Sequence, residues 1–282
     1  MRRRLLPLLI YGLLAVFATL TLTPFAFLVA STVKTKADFV STLFLPAGDG
    51  LFGVGWDRLT GENYRRIFGE LHVPRALLNS CFLASVGSLL ATLFSAMGGY
   101  ALAKFRFPGR EGIIRLVLAA LIIPGPLLIA PGFQNLWRLG LLDTYAGLML
   151  PGLAPAFGVF LFRQTMLNAV PSELIEAARI DGAGEFRIFF TLVFPLVRPM
   201  FGAFLMIMFL GIWNDYLGPQ IVLQSPELYP LSTTVAMLKN LHWNDYGLVM
   251  AGTLVAIAPV MCLFLLLQRE FIAGLTSGAV KG

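Results

Sequence analysis

Charge is what this 282-residue sequence has least of. Asp, Glu, Lys and Arg make up 13% of it, about half the share in an ordinary soluble domain. With 57% hydrophobic residues and a mean hydropathy of +0.80, a water-soluble globule is excluded. Cysteine is nearly absent too. Cys81 and Cys262 both sit in apolar runs and are too few for a disulfide framework or a CxxC metal site. The two histidines, His72 and His242, fall in polar connecting segments, where solvated or structural roles are the default. There is no Ser/His/Asp or HExxH arrangement and no Gly-x-x-x-x-Gly-Lys-Ser/Thr loop, so neither a catalytic constellation nor an ATP site is expected in this chain. No metal or cofactor is expected in it either. Disorder and low complexity are excluded by 24 phenylalanines, and no repeat recurs at the period of a solenoid.

What is present is a series of charge-free runs. Leu5–Val33 has 29 residues, Ala76–Ala103 has 28, Leu116–Trp137 has 22, Thr144–Phe162 has 19 and Tyr246–Gln268 has 23. Each can cross about 30 Å of hydrocarbon at about 1.5 Å per residue. A sixth run, Pro199–Asn214, meets Asp215 and then continues largely apolar to about residue 222. Strand-like alternation is absent from all of them, and in lipid the backbone must be satisfied within its own segment. The expected fold is therefore all-α, a single polytopic domain over residues 1–282 with six helices at about 5–33, 76–103, 116–137, 144–162, 199–222 and 246–268.

Orientation follows from the loops. The amino terminus, 104–115, 163–198 and the carboxyl tail together carry a net charge of +7, and the remaining segments −1. The positive-inside rule places the first set, both termini included, in the cytoplasm. The net charge of +6 and pI of 9.6 thus belong to one side of a membrane and not to nucleic-acid binding, since no soluble face interleaves basic and aromatic residues. Arg2-Arg3-Arg4 resembles the start of a signal peptide, but the apolar core that follows is too long for one, and an uncleaved anchor is expected. The external segment 35–75, rich in Gly and containing Asn63-Tyr-Arg-Arg-Ile67, is too polar to span. A short interfacial helix is expected there.

The cytoplasmic loop 163–198 carries the most information. Pro171 suits the first turn of a helix and Glu173 its positive end. Leu174, Ile175, Ala178 and Ile180 are the apolar residues of that helix, and Gly182 ends it by adopting the left-handed conformation. Small residues at Ala177, Ala178 and Ala183 let another surface approach closely. A second amphipathic stretch, Glu185–Val193, precedes Pro195 and Pro199.

Glu176-Ala177-Ala178, three residues, Gly182, then Leu192 and Pro195 resembles the EAA loop of ABC importer permeases. The loop's usual Ile-x-Leu-Pro ending reads Leu192-Val-Phe-Pro195 here. Leu141-Leu-Asp-Thr-Tyr-Ala-Gly147, Phe162-Arg-Gln164, Trp213-Asn-Asp-Tyr216 and the tail from Gly274 are similar to the MalG-type half of carbohydrate importers. The resemblance implies the type I importer permease fold, in a cytoplasmic membrane. It also implies a second, MalF-like permease, two copies of a cytoplasmic ATPase carrying ATP and Mg, and an external solute-binding protein. Glu176, Ala177, Ala178, Arg179, Asp181 and Gly182 would couple to the ATPase, whose closure switches the bundle between inward- and outward-facing states. The cargo implied is a sugar, with another polar solute such as glycerol 3-phosphate as the alternative. An ion-coupled secondary transporter would need buried ionisable residues in several spans, and only Asp215 qualifies.

Asn214 and Asp215 interrupt the fifth run. They either line the substrate pathway or mark a helix end near the headgroups. Trp213 and Tyr216 suit a sugar-stacking surface or an interfacial aromatic belt. Pro124-Gly-Pro126 and Pro131-Gly132 are expected to break the third span, and Pro151 and Pro155 the fourth.

Overall fold

A computed structural model describes residues 2–71, 73–241 and 245–279 of the chain; His72 and His242 lie outside them. Helices account for most of the described residues, and the one strand-like pairing among these is a bridge between Ala47 and Val54. In chain order they are α1 (Arg2–Thr32), α2 (Lys36–Ser41), α3 (Glu62–Gly69), α4 (Val73–Lys104), α5 (Arg110–Ala120), α6 (Ile129–Arg138), α7 (Tyr145–Met149), α8 (Ala156–Ala169), α9 (Ser172–Ile180), α10 (Glu185–Ile188), α11 (Phe194–Asn214), α12 (Leu217–Val222), α13 (Leu231–Leu241) and α14 (Tyr246–Ala279).

Among the described residues, four helices are long and apolar enough to cross a membrane unbroken: Pro7–Thr32, Val73–Lys104, Glu185–Asn214 and Tyr246–Leu266. Two further helix pairs reach that length only across a bend. The third run is not one rod, because α5 and the helical segment Gly125–Arg138 meet at 107°. Pro124 and Pro126 remove two N–H donors and fix the backbone at the corner. Pro131, by contrast, breaks nothing. It lies in the first turn of α6, where its N–H would have no partner anyway. In the fourth run, Tyr145–Gly152 and α8 are bent by 42°. Pro151 stands in the turn Leu150–Gly152 that ends the first segment, and Pro155 is the N-cap of α8.

The loop expected at 163–198 is shorter than that. α8 runs on to Ala169 with Arg163 inside it, and the next long helix already starts at Glu185. That helix absorbs Pro195 through a π turn, Phe189–Val193, whose wider ring accommodates a residue that cannot donate and needs room. The fifth run also differs from 199–222, since α11 stops at Asn214 and α12 is a separate helix.

By packing the chain falls into two compact units, Met1–Arg75 with Thr234–Pro259, and Ala76–Thr233 with Val260–Gly282. In the first, polar side chains hold the segment that follows the end of α1. The Lys34 ammonium is buried, donates to the Thr42 and Leu43 carbonyls at 2.8 and 2.9 Å, and lies over the rings of Phe27 and Phe39. Asp38, also buried, pairs with Arg58. α3 forms over Asn63–Ile67, as the sequence indicates, and Asn63 donates to the carbonyls of Thr32 and Lys34 at 2.8 and 3.2 Å. Arg66 reaches Asp245 at 2.6 Å, and Phe39 stacks on Tyr246.

The second unit packs around Tyr100, Phe162, Met166, Ile188, Phe189, Val193 and Phe204, drawn from α4, α8 and the helix that starts at Glu185. Glycine permits the closest approach. A Cβ added to Gly99 would lie 2.6 Å from the Phe162 Cβ and 2.7 Å from the Arg163 nitrogen, so α4 and α8 meet almost backbone to backbone. Gly99→Leu is expected to cost about 1–3 kcal/mol or more by overpacking. Gly112→Leu, which meets nothing within 4 Å, should not. Thermal unfolding of the two purified variants checks this, and equal midpoints would contradict it.

Candidate coupling loop and external anchor

The chain leaves α8 through Val170 and Pro171, both extended, and Pro171 is the N-cap of α9. A residue before proline is steered out of the helical region, so the Val-Pro pair forces a corner between the two helices. Lys104, at the end of α4, pins that corner by donating to the Val170 carbonyl at 2.5 Å. Glu173 occupies the positive first turn of α9. At the other end Gly182 has φ +81°. The backbone folds back, with Gly182 N–H on the Arg179 carbonyl and Ala183 N–H on the Ala178 carbonyl, both at 3.0 Å. A Cβ at Gly182 would meet nothing in this chain, so its intramolecular demand is conformational.

α9 turns one residue into the core. Ile175 is fully buried in the cluster built by α4, α8 and α11, with Ala178 and Ala183 packed against it. Leu174 and Ile180, expected among the apolar residues of this helix, face outward instead, and Ile180 is 86% exposed. Glu176, Ala177, Asp181 and Gly182 are exposed alongside them. Of the six candidate coupling residues, these four lie on the open side and Ala178 lies inward. Arg179 bonds across the fold-back to Glu185 and not to Glu176 one turn earlier. Its Nε donates to Glu185 at 2.6 Å, and its guanidinium lies over the Phe105 ring, 5.3 Å from the centroid. Tyr100 donates to the other Glu185 oxygen at 2.9 Å. A cleft of about 700 Å³, lined by Lys104, Arg106, Arg110, Glu176, Arg179 and Glu185, opens beside them.

At the far end of α11, Asn214 donates to the Leu210 carbonyl at 2.8 Å and closes that helix. Asp215 accepts from the N–H groups of Leu217 and Gly218 at 3.1 and 3.0 Å and starts α12. Both therefore satisfy backbone groups at a break, and Asp215 also borders a small cavity of about 100 Å³ with Ser80, Gly87, Met149 and Ile212. Trp213 is buried and stacked on Phe209, so it offers no open face to a solute or to headgroups. Tyr216 is half exposed.

Two groups have partners that their sequence context does not signal. Glu185 looks like one residue of an amphipathic stretch. Asp143 looks like one letter of a motif, although it is the sole acidic residue between the third and fourth runs. It takes φ +57°, and its carboxylate accepts from Gln224 N–H at 2.8 Å, Ser225 N–H at 2.9 Å and the Ser225 hydroxyl at 2.6 Å. Thr144 then caps α7, and Gly147 leaves room for the Leu141 carbonyl. The motif Leu141–Gly147 is thus a built corner tied to the chain beyond α12. Among the described residues no three His, Cys, Asp or Glu side chains gather as a metal would require.

The Ser225 hydroxyl, then the two N–H groups, hold the Asp143 carboxyl below its ordinary 3.8. A depressed carboxylate stabilises the fold fully above the unfolded-state value and loses that contribution as pH falls through the folded-state value. Asp143→Asn should therefore lower the melting temperature at pH 7, and the gap to the wild-type protein should close as pH drops below about 4. A gap independent of pH would contradict the role assigned to the charge.

A family model described as binding-protein-dependent transport system inner membrane component matches residues 88–271. The lactose transport system permease protein LacG of Rhizobium radiobacter is 35% identical over 281 residues, 100% of this chain and 98% of that one. The arabinooligosaccharides transport system permease protein AraQ of Bacillus subtilis is 39% identical over 78% of this chain and 79% of its own. The sn-glycerol-3-phosphate transport system permease protein UgpE of Pectobacterium atrosepticum is 35% identical over 95% and 93%. Among solved structures, a chain of a bacterial ABC transporter involved in the import of the acidic polysaccharide alginate superposes with a TM-score of 0.76 at 23% identity, over 95% of this chain and 97% of that one. That likeness concerns the fold.

Proposed function

The chain belongs to the binding-protein-dependent transport system inner membrane components, and from that membership we propose that it is one permease subunit of an ATP-driven importer for a di- or oligosaccharide. The permeases named for lactose and arabinooligosaccharides support the sugar reading. Those named for glycerol 3-phosphate keep another polar solute as the second reading. ATP and Mg belong to two copies of a separate ATPase in the cytoplasm. A second permease completes the pathway, and an external solute-binding protein delivers the cargo.

The observation that carries the reading is the outer face of α9. A short helix is fixed to the core by Ile175 on one side, while Leu174, Ile180 and Gly182 stand open on the other. Apolar residues on a cytoplasmic helix gain nothing from water, and a protein groove would bury them. Closure of the ATPases would then carry α9 with it and rock the helices to which it is anchored. The pathway side of the subunit is assigned to the Asn214–Tyr216 break, which borders a cavity and not the cytoplasmic loop.

Gly182→Asp tests the docking face. A side chain at φ +81° strains the turn by about 1–2 kcal/mol and places a charge where the partner must approach. The ATPase is expected to be lost from the purified complex while the permease still inserts. Full retention of the ATPase would contradict the assignment. Orientation is checked separately. In a variant lacking Cys81 and Cys262, a cysteine replacing Val40 should label from outside, and one replacing Glu111 only after permeabilisation.

A further inference from the structure

We propose that Arg179, Glu185 and Tyr100 form a side-chain strut that, beside the Ile175 anchor, carries the displacement of α9 into the helix bundle across the Gly182–Gly184 joint. This inference rests on α9 being the docking helix. The backbone link from α9 to the next long helix is Asp181-Gly182-Ala183-Gly184, and two glycines in four residues allow wide conformational freedom. Ile175 and the fold-back bonds at Gly182 and Ala183 seat α9, and the two glycines of the link add no side chain that would fix its angle to the next helix. The side chains of the strut bypass that link. Arg179 sits in the last turn of α9 and donates at 2.6 Å to Glu185, the first residue beyond the joint. The second Glu185 oxygen takes the Tyr100 hydroxyl of α4 at 2.9 Å. Aromatic contacts stiffen the frame: Arg179 lies over Phe105, Phe105 meets Tyr100 edge-on at 5.4 Å, and Tyr100 meets Phe189 at 5.6 Å.

Arg179 and Glu185 keep 37% and 38% of their side-chain surface exposed, and a pair that open adds little to stability. Its worth is directional. A guanidinium can point one N–H at a carboxylate while its plane rests on a ring, which an ammonium cannot do. In this role Arg179 is a positioning residue at the end of the docking helix.

The test uses the full transporter with its second permease and ATPase, carrying a single cysteine in place of Gln220 as a reporter. Its labelling rate by a membrane-impermeant maleimide is measured with and without ATP plus vanadate. Wild-type protein should show a several-fold change on trapping. Tyr100→Phe, Glu185→Ala and Arg179→Lys should retain the ATPase in the complex and trap vanadate, yet bring the rate ratio towards unity. The reversed pair, Arg179→Glu with Glu185→Arg, should recover part of the change. An unaltered ratio in both Tyr100→Phe and Glu185→Ala would overturn the strut. Loss of the ATPase in these variants would overturn it too, by making the trio part of the docking face. Retention of the ATPase in Gly182→Asp would instead contradict the docking reading beneath it.

Discussion

Every interruption of a helix in an apolar medium frees N–H and C=O groups that must find partners nearby. In the described part of this chain several polar side chains stand at such points. Lys34 and Asn63 take up carbonyls where α1 ends. Lys104 pins the corner between α8 and α9. Asp143 gathers the N–H groups beyond α12, and Asn214 with Asp215 serves the break between α11 and α12. The open helix α9 lies between two such corners, at Val170-Pro171 and at Gly182.

The apolar runs announce helices because long charge-free segments have no other way to satisfy their backbones. The Val170-Pro171 corner and the Gly182 stop were equally readable, since each depends on the intrinsic geometry of a single residue. The ends of the helices were less so. Charge alone puts Arg163 in the loop, yet it lies inside α8, which extends past the apolar core. Charge reports distance from hydrocarbon and says nothing of where helical hydrogen bonding ceases.

Long-range pairings left no trace in a single sequence. Arg179 has Glu176 three residues away and chooses Glu185, because the fold-back at Gly182 turns the first residue of the next helix towards it. Tyr100 joins them from 85 residues away. Trp213 looked like a surface aromatic beside two polar residues, but the stack on Phe209 turns it into the core. The Asp143 corner depends on residues 81 and 82 positions further on. Spacing within a motif cannot reveal such partners.

The central claim is that the outer face of α9 is held by the ATPase while its inner face belongs to the permease core. Cysteine cross-linking within the assembled transporter tests it most directly, with Cys81 and Cys262 replaced. A cysteine at Ile180, 86% exposed, should form a disulfide with a cysteine scanned along the ATPase surface. One at Ile175, buried at 2%, should form none. Cross-links from Ile175 equal to those from Ile180, or none from Ile180 at any scanned position, would contradict the account.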